Sequence, residues 1–117
     1  AHVDRLVRQV AEVIAPIPVR VHFHNTRGTG LANVWTAIAA GARTVDASIG
    51  GLGGCPFAPG AAGNVSTEDV VFMLERAGID TGLELEALIA ANHWLGGVME
   101  RQLPGMVARA PLFPRAD

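Results

Sequence analysis

Apolar residues at Val3, Leu6, Val7, Val10, Val13 and Ile14 recur at threes and fours, a spacing that predicts a helix burying one stripe. Pro16 and Pro18 stop it. The next residues, Val19-Arg20-Val21-His22-Phe23-His24, alternate with period two and predict a strand, with Val19, Val21 and Phe23 on one face and His22 and His24 on the other. A turn-rich stretch from Asn25 to Gly30 leads into Leu31, Val34, Trp35, Ile38 and Ala39 at helical spacing, ended by Gly41. Thr44 to Ile49 alternates again, setting Val45, Ala47 and Ile49 against Thr44, Asp46 and Ser48. From Gly50 to Gly63 six glycines and two prolines fit neither period, so this is a long loop with backbone freedom. Ser66 or Thr67 caps a further helix, which carries Glu68 and Asp69 in its first turn, Val70, Val71, Met73 and Leu74 as apolar positions, and ends near Gly78. Leu83 to Trp94 predicts a last helix that buries Leu85, Leu88, Ile89 and Trp94.

Helix, strand, helix, strand, glycine loop, helix and helix is the alternation of an α/β protein whose parallel strands are joined by crossover helices. Two strands, with a third short one around 62–65, leave both sheet edges unpaired. A (β/α)₈ TIM barrel takes about 250 residues, whereas this chain has 117. The expected fold is therefore the C-terminal part of such a barrel, the last two or three βα units plus a C-terminal helix. Residues 1–103 belong to the catalytic domain, and the three-proline stretch 104–117 forms an extended or frayed tail.

Composition narrows the function classes. Half the residues are hydrophobic and 17% are charged, which suits a packed interior. The net charge is −2 and all nine basic residues are Arg, so neither nucleic acid nor an anionic membrane is expected as a partner. No apolar run reaches the ~18 residues of a membrane span, and Ala1 to Arg5 lack the order of a signal peptide. A single cysteine, Cys55, forms no internal disulfide, consistent with a reducing, cytoplasmic setting.

Two groups of residues carry candidate chemistry. His22 and His24, two apart on a strand, lie about 6.6 Å apart along it and point the same way, so two imidazoles can converge on one cation. They stand at the end of their strand just before a loop, where barrel enzymes place their sites; two half-exposed histidines with no ligand are the competing reading. Asn64 adds an amide oxygen at a strand end, while no carboxylate is obviously placed as an anionic ligand. The second group is Cys55 within Gly50-Gly51-Leu52-Gly53-Gly54-Cys55-Pro56, where glycines allow close approach to a ligand and suit a loop that delivers a proton-transfer group. The glycines match no phosphate-cradle pattern. Asp46 and Ser48 either line the site or form a solvated strand face, Arg27 either meets an anionic substrate group or is solvated, and His2 and His93 are surface groups. Met73, Trp35 and Trp94 are read as core.

The stretch from His22 to Gly82 resembles 3-hydroxy-3-methylglutaryl-CoA lyase. The resemblance rests on His22-Phe23-His24-Asn25-Thr26-Arg27-Gly28, on Val45-Asp46-Ala47-Ser48-Ile49 followed by the cysteine loop to Ala58, and on Gly63-Asn64-Val65-Ser66-Thr67-Glu68-Asp69. His-x-His is shared with 2-isopropylmalate synthase, 4-hydroxy-2-oxovalerate aldolase and pyruvate carboxyltransferase domains; the Gly-Leu-Gly-Gly-Cys-Pro run with the downstream Gly-Asn is similar to the lyase branch. The resemblance implies a lyase dependent on a divalent cation, Mg²⁺ or Mn²⁺, that cleaves a 3-hydroxy-3-methylglutaryl-CoA-like acyl-CoA to acetyl-CoA and acetoacetate, as in leucine degradation and ketone-body formation. It implies His22, His24 and Asn64 as metal ligands, His22 and Cys55 as proton-transfer residues, and Gly51, Gly53 and Gly54 as part of the loop over substrate. Asn25 stands where that family often has Asp, as in the synthase branch. The family's arginine-aspartate pair and glutamate of the early strands are absent here, so the rest of the barrel is an expected partner, the 117 residues alone are expected to be inactive, and a homodimer is left open. An aldolase or acyl-transfer synthase of the same superfamily, or a non-catalytic stand-alone module, are the alternatives.

Overall fold

The structure is a computed structural model that describes residues 1–54 and 63–111. Helix α1 (His2–Ile14) leads to strand β1 (Arg20–His22), helix α2 (Gly30–Ala39), strand β2 (Thr44–Asp46) and a short 3₁₀ turn, Ile49–Gly51. Helices α3 (Thr67–Arg76) and α4 (Leu85–Val98) follow, and a second 3₁₀ turn spans Val107–Arg109. Strands β1 and β2 pair in parallel, with Arg20 opposite Thr44 and His22 opposite Asp46, and α2 is the crossover between them.

Both strands are shorter than the alternation predicts, because their pairing stops where another segment enters. The Val65 N–H donates to the Phe23 carbonyl at 3.2 Å and the Asn25 N–H donates to that of Gly63 at 3.1 Å. On the other side the Ser48 N–H donates to the Val65 carbonyl at 3.1 Å and the Thr67 N–H to that of Ser48 at 2.8 Å. Residues 63–66 thus lie hydrogen-bonded to the continuations of both strands, as single bridges His24 to Asn64 and Ser48 to Ser66 rather than as the short third strand expected at 62–65. Ala62 lies outside the described residues.

Two apolar clusters flank α2. Val7 of α1 packs with Val19, Ala37, Ala40 and Ala42, while Val34, Val65, Val70 and Leu74 form the second cluster under α3. Phe23 packs against both clusters, which explains why the apolar side of the β1 segment reaches past its last paired residue. Gly30, the first residue of α2, allows this approach, since a Cβ there would stand 2.5 Å from Val65 Cγ1. Its N–H donates to Asn25 Oδ1 at 2.9 Å, which meets one of the orphan donors of the α2 N-terminus. At α3 the expected cap is Ser66, whose hydroxyl accepts the Asp69 N–H.

The apolar stripe of α1 is wider than its buried part. Val3, Val7 and Ile14 pack on the core, but Leu6 and Val10 face out and Val13 is 84% exposed. Trp35 and Trp94, expected in the core, are also exposed, Trp94 at 69%, and α4 continues past Trp94 to Val98. Among the described residues no element covers these positions; helical spacing reports an apolar face, and only the neighbouring elements decide whether it is buried. No helix among the described residues is long and apolar enough to cross a membrane.

The expected free tail is tied down over its first part. Leu103 is buried against Gly50, and the Gly105 N–H donates to the Gly50 carbonyl at 2.8 Å. Asp69 accepts the N–H groups of Met106 and Val107, and residues 112–117 lie outside the described residues. Gly50 itself has φ +67°, and a Cβ there would come within 2.4 Å of Leu103 Cδ1. Gly50→Ala should therefore destabilise the fold by about 1–2 kcal/mol from the left-handed backbone alone, with the Leu103 clash in addition. Urea denaturation checks it, and an unchanged midpoint would count against this packing.

Across the strand pair Arg20 Nε donates to Asp46 Oδ1 at 2.6 Å, and His22 Nδ1 lies 3.4 Å from Asp46 Oδ2. The Arg20 hydrogen bond, joined by charge attraction and the His22 contact, lowers the Asp46 pKa against a smaller opposing effect of burial. A depressed carboxyl pKa contributes stability that is complete above the unfolded value of about 3.9 and is lost as pH falls through the lower folded value. Thermal melts from pH 5 down to pH 2 should thus show a steeper loss of melting temperature for the wild type than for Asp46→Asn; parallel curves would exclude a pH-linked role for this pair.

Candidate functional site

The site forms where β1, β2 and the inserted segment 63–66 meet. Strand alternation sends His22 and His24 to the same side, as expected, and their ring centroids are 5.3 Å apart at an interplanar angle of 52°. The bridge between His24 and Asn64 brings the third expected donor alongside. His22 is about half-exposed, with its Nδ1 toward Asp46, which leaves Nε2 as the nitrogen not engaged by Asp46. A carboxylate behind an imidazole is the arrangement that fixes the tautomer of metal-binding histidines. Asp46, its side chain 30% exposed, thus contacts both Arg20 and the candidate donor His22.

Asn64 is held by its amide nitrogen. Its Nδ2 donates to the Leu52 carbonyl at 3.0 Å, an oxygen that also accepts from Ser48 Oγ at 2.6 Å. Its Oδ1 is buried and has no hydrogen-bond partner among the described residues. An orphaned buried acceptor costs about 1–3 kcal/mol unless something meets it. Two imidazoles and this amide oxygen form a donor set suited to a divalent cation, and the orphaned Oδ1 is the observation that fits one. Among the described residues no group of three His, Cys, Asp or Glu side chains could hold a metal, so the set has no carboxylate and three protein donors at most here.

The glycines of the loop base serve close approach. A Cβ on Gly53 would stand 2.6 Å from Asn64 Nδ2, and a Cβ on Gly63 would stand 2.0 Å from the Gly51 carbonyl oxygen. Gly51 has φ +71° and lies against the Asn64 carbonyl, whereas nothing among the described residues stands within 4 Å of a Cβ on Gly54. Cys55 lies outside the described residues. Asn25 is used in capping α2, and His93 bonds the Ala108 carbonyl at 2.9 Å, away from the site.

Residues that the sequence reading passed over hold this base in place. Glu68, read only as a first-turn acid, is fully buried; its carboxyl accepts the Gly50 N–H at 2.9 and 3.0 Å and also the Asn92 amide. Asp69 is 7% exposed and takes two backbone N–H groups of the 103–109 segment. The available signal was Asn92, a polar residue in the apolar run Ile89-Ala90-Ala91-Asn92 of a helix, which asks for a buried polar partner.

The HMGL-like family model matches residues 1–95. The chain is 46% identical over 114 residues to an (R)-citramalyl-CoA lyase of Chloroflexus aurantiacus, covering 97% of this chain and 36% of that protein. It is 51% identical over 86 residues to a hydroxymethylglutaryl-CoA lyase of Bacillus subtilis, covering 74% of this chain and 29% of that one. Among solved structures, an HMG-CoA lyase from Acinetobacter baumannii in complex with coenzyme A and 3-methylmalate superposes with a TM-score of 0.88 at 47% identity, over 97% of this chain and 39% of that chain. The chain thus spans about a third of the length of these relatives, and its fold is a partial α/β segment of their TIM barrel. On the family match over most of its length, the chain belongs to the HMGL-like family.

Proposed function

We propose that the protein bearing this chain is a carbon–carbon lyase, dependent on Mg²⁺ or Mn²⁺, that cleaves a 3-hydroxy-3-methylglutaryl-CoA-like acyl-CoA into acetyl-CoA and acetoacetate. The observation that carries the reading is the buried Oδ1 of Asn64, unpartnered among the described residues, beside the His22 and His24 pair. The names of the relatives support an acyl-CoA substrate. Acetoacetate is the product expected if the acyl group is hydroxymethylglutaryl; the citramalyl-CoA lyase relative makes a citramalyl-type acyl group the second reading.

His22, His24 and Asn64 would hold the cation, with further donors and a substrate-polarising arginine supplied by barrel strands outside this chain. A bound divalent cation supplies Lewis acidity that lowers the pKa of a substrate hydroxyl. The tertiary hydroxyl proton passes to His22 Nε2 when that nitrogen is not on the cation, which His24 and Asn64 would then hold, with Asp46 orienting the ring from the Nδ1 side; the bond between the second and third acyl carbons then breaks, the oxygen becomes the ketone of acetoacetate, and the electron pair passes to the thioester fragment. Cys55 gives its thiol proton to that fragment, forming acetyl-CoA, and is reprotonated at the expense of the proton first taken up. The tight packing of Gly51, Gly53 and Gly63 around Asn64 brings the loop base against the site.

In the full protein, chelation should abolish acyl-CoA cleavage and Mg²⁺ or Mn²⁺ should restore it. Cys55→Ser should lower kcat by about 10²–10⁴-fold, the range for loss of a positioned acid or base, with KM little changed. His22→Ala should lose activity at least as severely. A steady-state assay over hydroxymethylglutaryl-CoA, citramalyl-CoA and 2-oxo acids decides between the readings: turnover indifferent to chelation and to both substitutions removes the lyase assignment, and preference for a 2-oxo acid acceptor moves it to a synthase.

A further inference from the structure

The Asn64 side chain is aimed through a chain of contacts that begins 5 residues later in α3. Asp69 accepts the Met106 N–H at 3.0 Å on each carboxyl oxygen and the Val107 N–H at 2.7 Å. The strap so held, residues 103–109, turns back onto Gly50: Leu103 packs on it and the Gly105 N–H donates to its carbonyl at 2.8 Å. Gly50 and Gly51 both have left-handed φ, +67° and +71°, and neither has a side chain to anchor the peptide between them. That peptide is held instead by hydrogen bonds, from Gly105 on its carbonyl, while the preceding N–H is held by Glu68. Two residues on, the Leu52 carbonyl accepts from Asn64 Nδ2. The amide is planar, so fixing Nδ2 fixes where Oδ1 points.

We infer that Asp69 is a positioning residue for Asn64, acting through the 103–109 strap, which sets the Leu52 carbonyl and thereby aims Asn64 Oδ1 at the cation site. This rests on reading Asn64 as a cation ligand. Groups that orient metal ligands change affinity about 10–100-fold when removed. Asp69 lines a small cavity together with Asn64, Ser66 and Gly105, and the hydrogen-bonded route from it to the amide runs through the strap and the backbone of the turn.

The test is a Mn²⁺ titration of the full protein by electron paramagnetic resonance, with thermal melts in parallel. Asn64→Ala is the reference for loss of the ligand. Asp69→Ala should weaken Mn²⁺ binding about tenfold or more in protein that still melts cooperatively. Met106→Pro, which removes one of the N–H donors while its own side chain is 65% exposed, should weaken binding in the same direction and by less. If Asp69→Ala does not fold, Met106→Pro decides alone. Wild-type Mn²⁺ affinity in the folded strap variants, with Asn64→Ala weakened, overturns the positioning role and leaves the ligand reading standing. A wild type that binds no Mn²⁺, or an Asn64→Ala variant that binds it unchanged, overturns the ligand reading and this inference with it.

Discussion

A carboxyl group with no solvent access must find all its hydrogen-bond partners inside the protein, and Glu68 finds them in the Gly50 N–H and the Asn92 amide. With Glu68 itself, those two partners join three parts of the chain: α3, the turn after β2, and α4. Satisfying the one group therefore fixes how α4 lies against the end of the strand pair. Asp69 beside it repeats the logic on the other face of α3, where it takes up the N–H groups of the strap. The adjacent acids at the start of one helix thus bind the two later segments to the glycine turn, and the site rests on that turn.

The consequence is a site whose histidines and amide are supported differently. His22 and His24 come from a strand and its continuation, elements whose periodicity alone aligns their side chains. Asn64 comes from a segment wedged between two strand ends, and its orientation is set by one hydrogen bond to Leu52.

Much of the site was legible in the chain. Period-two alternation located both strands and put His22 and His24 on one face, and Gly63-Asn64 offered a third candidate donor, which the structure sets beside His24. Helix positions followed from apolar spacing and from Ser66 as a cap. The exposure of Val13, Trp35 and Trp94 was not legible, because helical spacing records that a face is apolar and cannot say which element meets it. Nor was the docking of 103–109, since its proline content reads as an irregular end and its anchors are backbone N–H groups that carry no sequence signature.

The sequence by itself determined the element order, the parallel βα alternation and the family of chemistry, because these depend on local spacing and on residue types that no other arrangement of the chain would need. Only the tertiary structure decided that Glu68 and Asp69 are buried supports rather than helix-terminal charges, and that Asn64 turns its oxygen inward with no partner for it among the described residues. The reason is physical: a buried polar group is defined by partners 18 to 38 residues away, and contacts across that separation leave no periodic trace in the chain.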